Sequence, residues 1–167
     1  MPITYINGET KIPALVIGYL DSRRTDLALP NSTTLPFVAA LRDGDEAFTL
    51  PCLVIEATTA DMAGNDIELY QVTVTLKNKT RGEKSQNVDV TDLETESTWV
   101  AKIRAALSNK TEFMTWITTQ PAEDLPDYKV TGWCVKGFST DTDSDSRIRK
   151  RITECRCVFR SYETTTN

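Results

Sequence analysis

Residues 70–77 alternate between apolar and polar side chains without a break. The apolar residues have even numbers and the polar ones odd numbers: Tyr70, Val72, Val74 and Leu76 against Gln71, Thr73, Thr75 and Lys77. Because successive side chains of a β-strand point to opposite faces, this period of two predicts a strand with one buried face. The other face is predicted to be wet or available for contact.

The apolar run before this strand predicts its partner. Residues 50–57 are almost continuously apolar, rich in β-formers and short enough to form one strand. A polar turn that contains Gly64, Asn65 and Asp66 separates the two segments. Two strands joined by such a turn predict an antiparallel hairpin.

Three segments show the spacing of helices. The first covers residues 11–23 and has a proline in its opening turn. The second begins at Thr91, ends at about residue 109 and carries an apolar stripe that includes Val100, Ile103 and Leu107. The third, residues 111–119, is short and is followed by a proline at position 121.

Two further strand segments follow the helices. Residues 128–138 contain glycines at positions 132 and 137, which predict a bulge or a strong twist. Residues 139–146 read as a solvated turn, and residues 147–162 as the last strand. The apolar residues at the start of that strand are out of phase with those near its end, so a bend or bulge is predicted near Thr153.

The order helix, hairpin, helix, hairpin predicts an α+β fold. In it, a single antiparallel four-stranded sheet has helices packed on one face. A length of 167 residues fits one domain over residues 1–167. Within it we expect an N-terminal helix and loop (1–49), a sheet-and-helix core (50–162) and a frayed tail (163–167). The sequence leaves open whether residues 30–48 form a strand or a helix.

The charge balance limits the environment in which the chain functions. The net charge of −5 gives no global attraction to nucleic acid or to anionic lipid. No apolar stretch approaches the ~18 residues of a membrane span. The N-terminus lacks the basic and apolar segments of a secretory signal. We therefore expect no membrane partner and a chain made in the cytoplasm.

Recognisable catalytic and metal-binding motifs do not occur in the sequence. There is no histidine, which excludes Ser–His and Cys–His relays, and the four cysteines lack a zinc-type spacing. The acidic run 141–145 lacks the glycine and the glutamate of an EF-hand loop. We therefore expect no enzymatic activity, no cofactor and no metal. A carboxylate active site of an unfamiliar kind is the enzymatic alternative.

An acidic segment followed directly by a basic one forms the candidate subunit-interface hairpin. An oligonucleotide-binding role would need aromatic platforms or a wider basic surface, and neither is visible in the sequence. We therefore expect this hairpin to pair with itself or with a neighbouring subunit. Its charged residues are Asp141, Asp143, Asp145, Arg147, Arg149, Lys150 and Arg151.

The order of these elements resembles that of bacteriophage tail terminator and tail-completion (neck) proteins. The resemblance covers residues 50–162 and is one of pattern. A strand that begins with proline is followed by an alternating strand, a polar loop, an amphipathic helix and two strands. It is carried by residues 50–56 (LPCLVIE), residues 70–76 (YQVTVTL), the helix residues Val100, Ile103, Arg104 and Leu107, and the closing strand 152–162.

The resemblance implies a structural virion protein made in the host cytoplasm. Such a subunit forms a homo-oligomeric ring, commonly a hexamer, that caps the tail tube and joins it to the head–tail connector. Its implied partners are the tail tube protein and the neck or connector proteins, and DNA would pass through the lumen without specific binding. The alternatives are another neck or head-completion adapter and a non-viral, monomeric binding module.

Overall fold

A computed structural model of the chain describes residues 8–40, 49–62, 67–79, 90–120, 128–143 and 148–161. Within those residues it contains three helices and five strands. In chain order they are α1 (Gly8–Ser22), β1 (Phe37–Ala39), β2 (Cys52–Met62), β3 (Ile67–Lys79), α2 (Val90–Ser108), α3 (Lys110–Thr118), β4 (Tyr128–Asp143) and β5 (Ile148–Ser161). The frayed tail predicted at 163–167 lies outside the described residues.

The five strands form one mixed sheet in the order β1-β2-β3-β5-β4. The pairs β2–β3, β3–β5 and β4–β5 are antiparallel, whereas β1 runs parallel to β2. The prediction of a single antiparallel four-stranded sheet is therefore wrong, although the fold remains α+β. The fifth strand, β1, lies within residues 30–48, which the sequence left open between strand and helix, because three residues are too few for an alternating pattern to show.

The helices pack on one face of this sheet around a continuous apolar core. Strand register places the alternating residues of β3 on that face, next to Ile55 of β2 and Cys155 of β5. Side chains from all three helices join the same cluster, among them Val16, Ile103 and Phe113. The three predicted helices are confirmed, although α1 begins three residues earlier than its pattern indicated.

Two aromatic side chains tie the last turn of α2 to its neighbours. The Trp133 indole N–H donates to the carbonyl oxygen of Leu107 at 2.7 Å, and the Tyr19 hydroxyl donates to that of Ala106 at 3.3 Å. The last carbonyls of a helix lack a donor from a following helical turn, so the Trp133 bond satisfies a Leu107 oxygen that burial would otherwise leave costly. The Ala106 oxygen also accepts from the backbone N–H of Asn109 at 3.2 Å. Phe113 lies between the two rings, with centroids 4.9 Å from Tyr19 and 4.6 Å from Trp133.

The opposite face of the sheet is buried at one end. Lys77 is 0% exposed and Thr75 is also buried, so of the two predicted alternatives, a wet face and a face available for contact, the wet face is wrong for this part of β3. Cys52, Val54 and Ile148 are buried on the same side. The alternating pattern shows which side chains are polar, not which are buried. The polar side chains of Thr75 and Lys77 therefore gave no indication that this end of the second face is also buried.

The strand β5 has no bulge near Thr153, the position of the predicted bend or bulge. Its pairing with β3 runs from Ile148 to Arg160 with no shift of register. The apolar side chain of Ile148 is out of phase because it belongs to the opposite, buried face, not because the strand bulges.

The irregularities of this hairpin lie on β4, at the two glycines. Register shifts fall between Val130 and Gly132 and between Val135 and Gly137, which confirms the predicted bulges. A Cβ atom at Gly132 would lie 3.0 Å from a methyl group of Val158, so a larger residue would crowd the neighbouring strand. The predicted turn at residues 139–146 is too long, because β4 continues to residue 143.

Candidate assembly surface

The structure places the candidate hairpin residues on the ends of β4 and β5. Asp141 is exposed and lies opposite Lys150, and Asp143 lies opposite Ile148. Asp145 and Arg147 lie outside the described residues. The register thus sets one acidic side chain of β4 directly across from one basic side chain of β5, as self-pairing of the hairpin requires.

Two arginines of the hairpin are instead bound by a carboxylate of α2. Glu96, which is 3% exposed, accepts from Arg151 Nε at 2.9 Å and from Arg149 Nη1 at 3.3 Å. The two arginine side chains are 25% and 17% exposed. Arg151 Nη1 also donates to the hydroxyl of Thr140 on β4 at 2.8 Å. These bonds fix the hairpin against α2.

A third arginine of the same region has no carboxylate partner among the described residues. Arg104 of α2 lies over the ring of Phe138, with its guanidinium carbon 4.1 Å from the ring centroid. Its Nε is buried and has no hydrogen-bond partner in the part of the chain that the structure describes. Burial, and then the nearby charge of Arg151, lower the pKa of Arg104. We call Arg104, Arg149 and Arg151, with Glu96, the arginine cluster.

Phe138 is the most exposed large apolar side chain among the described residues. It is 66% exposed and lies on β4 just beyond the second bulge. Apolar rings next to arginine are typical of protein–protein interfaces, which are enriched in both residue types. The patch formed by Phe138 and Arg104 is therefore suited to contact with another protein surface.

The outer edge of β4 differs between its two halves. Among the described strands, β4 pairs with β5 alone, so its other edge forms no ladder hydrogen bonds with another described strand. The first half contains both bulges and the exposed lysines Lys129 and Lys136, features that discourage pairing of a strand edge. The second half, from Phe138 to Asp143, pairs with β5 without a register shift. This regular half is the part of the edge that can accept another strand.

The four cysteines are all free thiols. Cys134 on β4 is exposed, whereas Cys52, Cys155 and Cys157 are buried. Burial raises the pKa of Cys155 and that of Cys157 to about 12. The prediction of buried thiols is thus confirmed for three of the four. Among the described residues, no group of three or more cysteine or acidic side chains converges as a metal site would need.

Sequence reasoning named Arg149 and Arg151 as candidates but missed Glu96 and Phe138. Glu96 could have been found, because it precedes Val100, Ile103 and Leu107 at helical spacing and so lies on the apolar stripe of α2. A carboxylate at such a position requires a cationic partner when it is buried. Phe138 gave no signal, because exposure depends on where β4 lies in the sheet.

The comparisons with known proteins add little to this description. No family model matches the chain, and no curated protein matches it. Among solved structures, a chain in the virion of a native gene transfer agent particle aligns with 90% of this chain and 95% of its own length. The TM-score is 0.48 and the sequence identity 12%, so this likeness carries no argument about function. None of the described helices combines the length and apolarity needed to cross a membrane.

Proposed function

We propose that the chain is a structural virion protein that forms a ring, caps the tail tube of a bacteriophage and joins it to the head–tail connector. The observation that carries the proposal is the surface at the end of the β4–β5 hairpin. There the exposed ring of Phe138 and the arginine cluster, in which Glu96 binds two of the arginines, lie beside the regular half of the β4 edge. This surface is built for association, and the proposed role includes no catalysed reaction.

The rigidity of this surface supports an assembly role. Glu96 holds Arg149 and Arg151 with charge-assisted hydrogen bonds, and α2 in turn packs on the core through Val100 and Ile103. A surface that is ordered before association loses less conformational entropy when it binds. A repeating ring needs the same contact made many times, so this saving applies at every interface.

The pattern of strands and helix that resembles tail terminators supports the more specific part of the proposal. In such a ring, the tail tube protein would bind one face and the neck or connector proteins would bind the other. The net charge of −5 is compatible with a lumen through which DNA passes without specific binding.

The test is the mass of the purified protein by light scattering, combined with negative-stain imaging, with and without isolated tail tubes. Rings of uniform size that bind the end of the tube would support a terminator. Rings that ignore tubes but bind purified connectors would indicate a neck adapter. A monomer that stays monomeric in the presence of tubes would contradict the proposal and favour the free binding module.

A further inference from the structure

We infer that the arginine cluster binds a carboxylate from a second copy of this chain and so forms one side of the subunit interface. This inference rests on the proposed ring assembly. It assigns the contact to Arg104, beside the exposed ring of Phe138.

The cluster contains more positive charge than its own carboxylate neutralises. Glu96 is the one acidic side chain that the described residues bring to the three guanidinium groups, and it binds Arg149 and Arg151. Arg104 has no ion pair among those residues and experiences the charge of Arg151. A carboxylate supplied from outside would relieve this repulsion and provide an acceptor for the guanidinium.

Contact with Phe138 places the Arg104 guanidinium over the face of the ring. The centroid distance of 4.1 Å is within the range of a cation–π contact, and the face of the ring covers one side of the group. The N–H donors of a guanidinium lie in its plane and match the two oxygens of a carboxylate. The exposed ring beside it can cover an apolar side chain next to that carboxylate.

A second copy is the partner whose charge fits this site. The chain has a net charge of −5, whereas the cluster alone contributes three arginines and one glutamate. The rest of the chain is therefore more acidic than the total suggests. A basic patch on one subunit and acidic surface elsewhere on the next make a head-to-tail contact, which is the kind that closes a ring.

The test compares charge-reversed variants by light scattering over a concentration series. Arg104→Glu brings a carboxylate next to Arg151, so we expect the fold to tolerate it. We expect the midpoint concentration of ring assembly to rise roughly tenfold or more, because a close interfacial charge pair is lost. Arg156→Glu is the matched control, since Arg156 is exposed on the opposite face of the sheet and the charge change is the same. Arg104→Gln should give an intermediate shift.

Two further measurements separate a failure of this inference from a failure of the ring proposal. Wild-type rings should weaken in ~1 M salt, where the screening length falls to about 3 Å. Phe138→Ser leaves Glu96 and its two arginines untouched and should also weaken assembly, which provides a second variant if Arg104→Glu does not fold. Rings that form equally well with Arg104→Glu, Arg104→Gln and Phe138→Ser would overturn the inference while leaving the ring proposal intact. A wild-type chain that never assembles would instead refute the ring proposal itself.

Discussion

Replacing Glu96 by glutamine tests whether the arginine cluster holds the β4–β5 hairpin against α2. The substitution keeps the size of the side chain and one acceptor oxygen but removes the charge that Arg149 and Arg151 share. A buried glutamine between two arginines leaves both guanidinium groups without a counter-charge among the described residues. We therefore expect a loss of stability that is larger than for a surface charge.

The magnitude follows from the two hydrogen bonds. A hydrogen bond to a charged group contributes about 1.5–3 kcal/mol. The 2.9 Å bond from Arg151 has the usual length, while the 3.3 Å bond from Arg149 is longer than is typical of charge-assisted bonds and counts for less. Breaking a fully buried pair costs about 3–5 kcal/mol, but both arginines are partly exposed, so solvent offsets some of this. We expect Glu96→Gln to lower the free energy of unfolding by about 2–3 kcal/mol.

Urea denaturation followed by far-UV circular dichroism measures this loss, provided that the slope with denaturant is the same for each variant. Glu94→Gln is the matched control, because Glu94 is exposed on the same helix and its replacement should change stability by about 0.5 kcal/mol or less. A Glu96→Gln protein within about 0.5 kcal/mol of wild type would refute the reasoning. A double-mutant cycle with Arg151→Ala should give a coupling energy of roughly 1–3 kcal/mol.

Three other predictions concern the core and the open edge of β4. Iodoacetamide at pH 8 should modify one thiol per native chain, that of Cys134. Burial and a pKa of about 12 keep Cys155 and Cys157 as unreactive thiols. Rapid modification of a second site, measured by mass spectrometry, would contradict this. Phe159→Ala should lower the free energy of unfolding in urea by about 3–5 kcal/mol, because the Phe159 side chain is 0% exposed. A loss below about 1 kcal/mol would show that this part of the core is loosely packed. Phe138→Ser should change the free energy of unfolding by about 0.5 kcal/mol or less, because the ring is 66% exposed. A large loss of stability would mean that the ring supports the fold rather than an interface.

The parts of the fold that repeat a pattern could be predicted from the sequence. The alternation around Val72 fixed the buried face of β3, and the spacing of Val100, Ile103 and Leu107 fixed that of α2. Both patterns extend over enough residues for periodicity to be visible. The glycines of β4 were equally informative, because bulges there leave a local signature that needs no tertiary information.

The parts that depend on neighbours could not be predicted in the same way. The strand β1 is defined by its parallel pairing with β2, which involves residues distant in sequence. Lys77 is polar in the pattern and fully buried in the fold. Ile148 was interpreted as evidence of a bend because a single buried face was assumed. In each case the missing information was which surface another segment covers.

The two halves of β4 show how one strand can both resist and permit association. An open edge with unpaired backbone groups is a risk for aggregation, and bulges and lysines reduce that risk in the half that begins at Tyr128. The half that begins at Phe138 lacks the bulges and carries the aromatic ring, and Arg104 covers that ring from the side of α2. Asp141 is the one charged side chain described in that second half, so this half has fewer of the features that discourage strand pairing than the first half has. The subunit contact proposed above would account for this difference between the two halves.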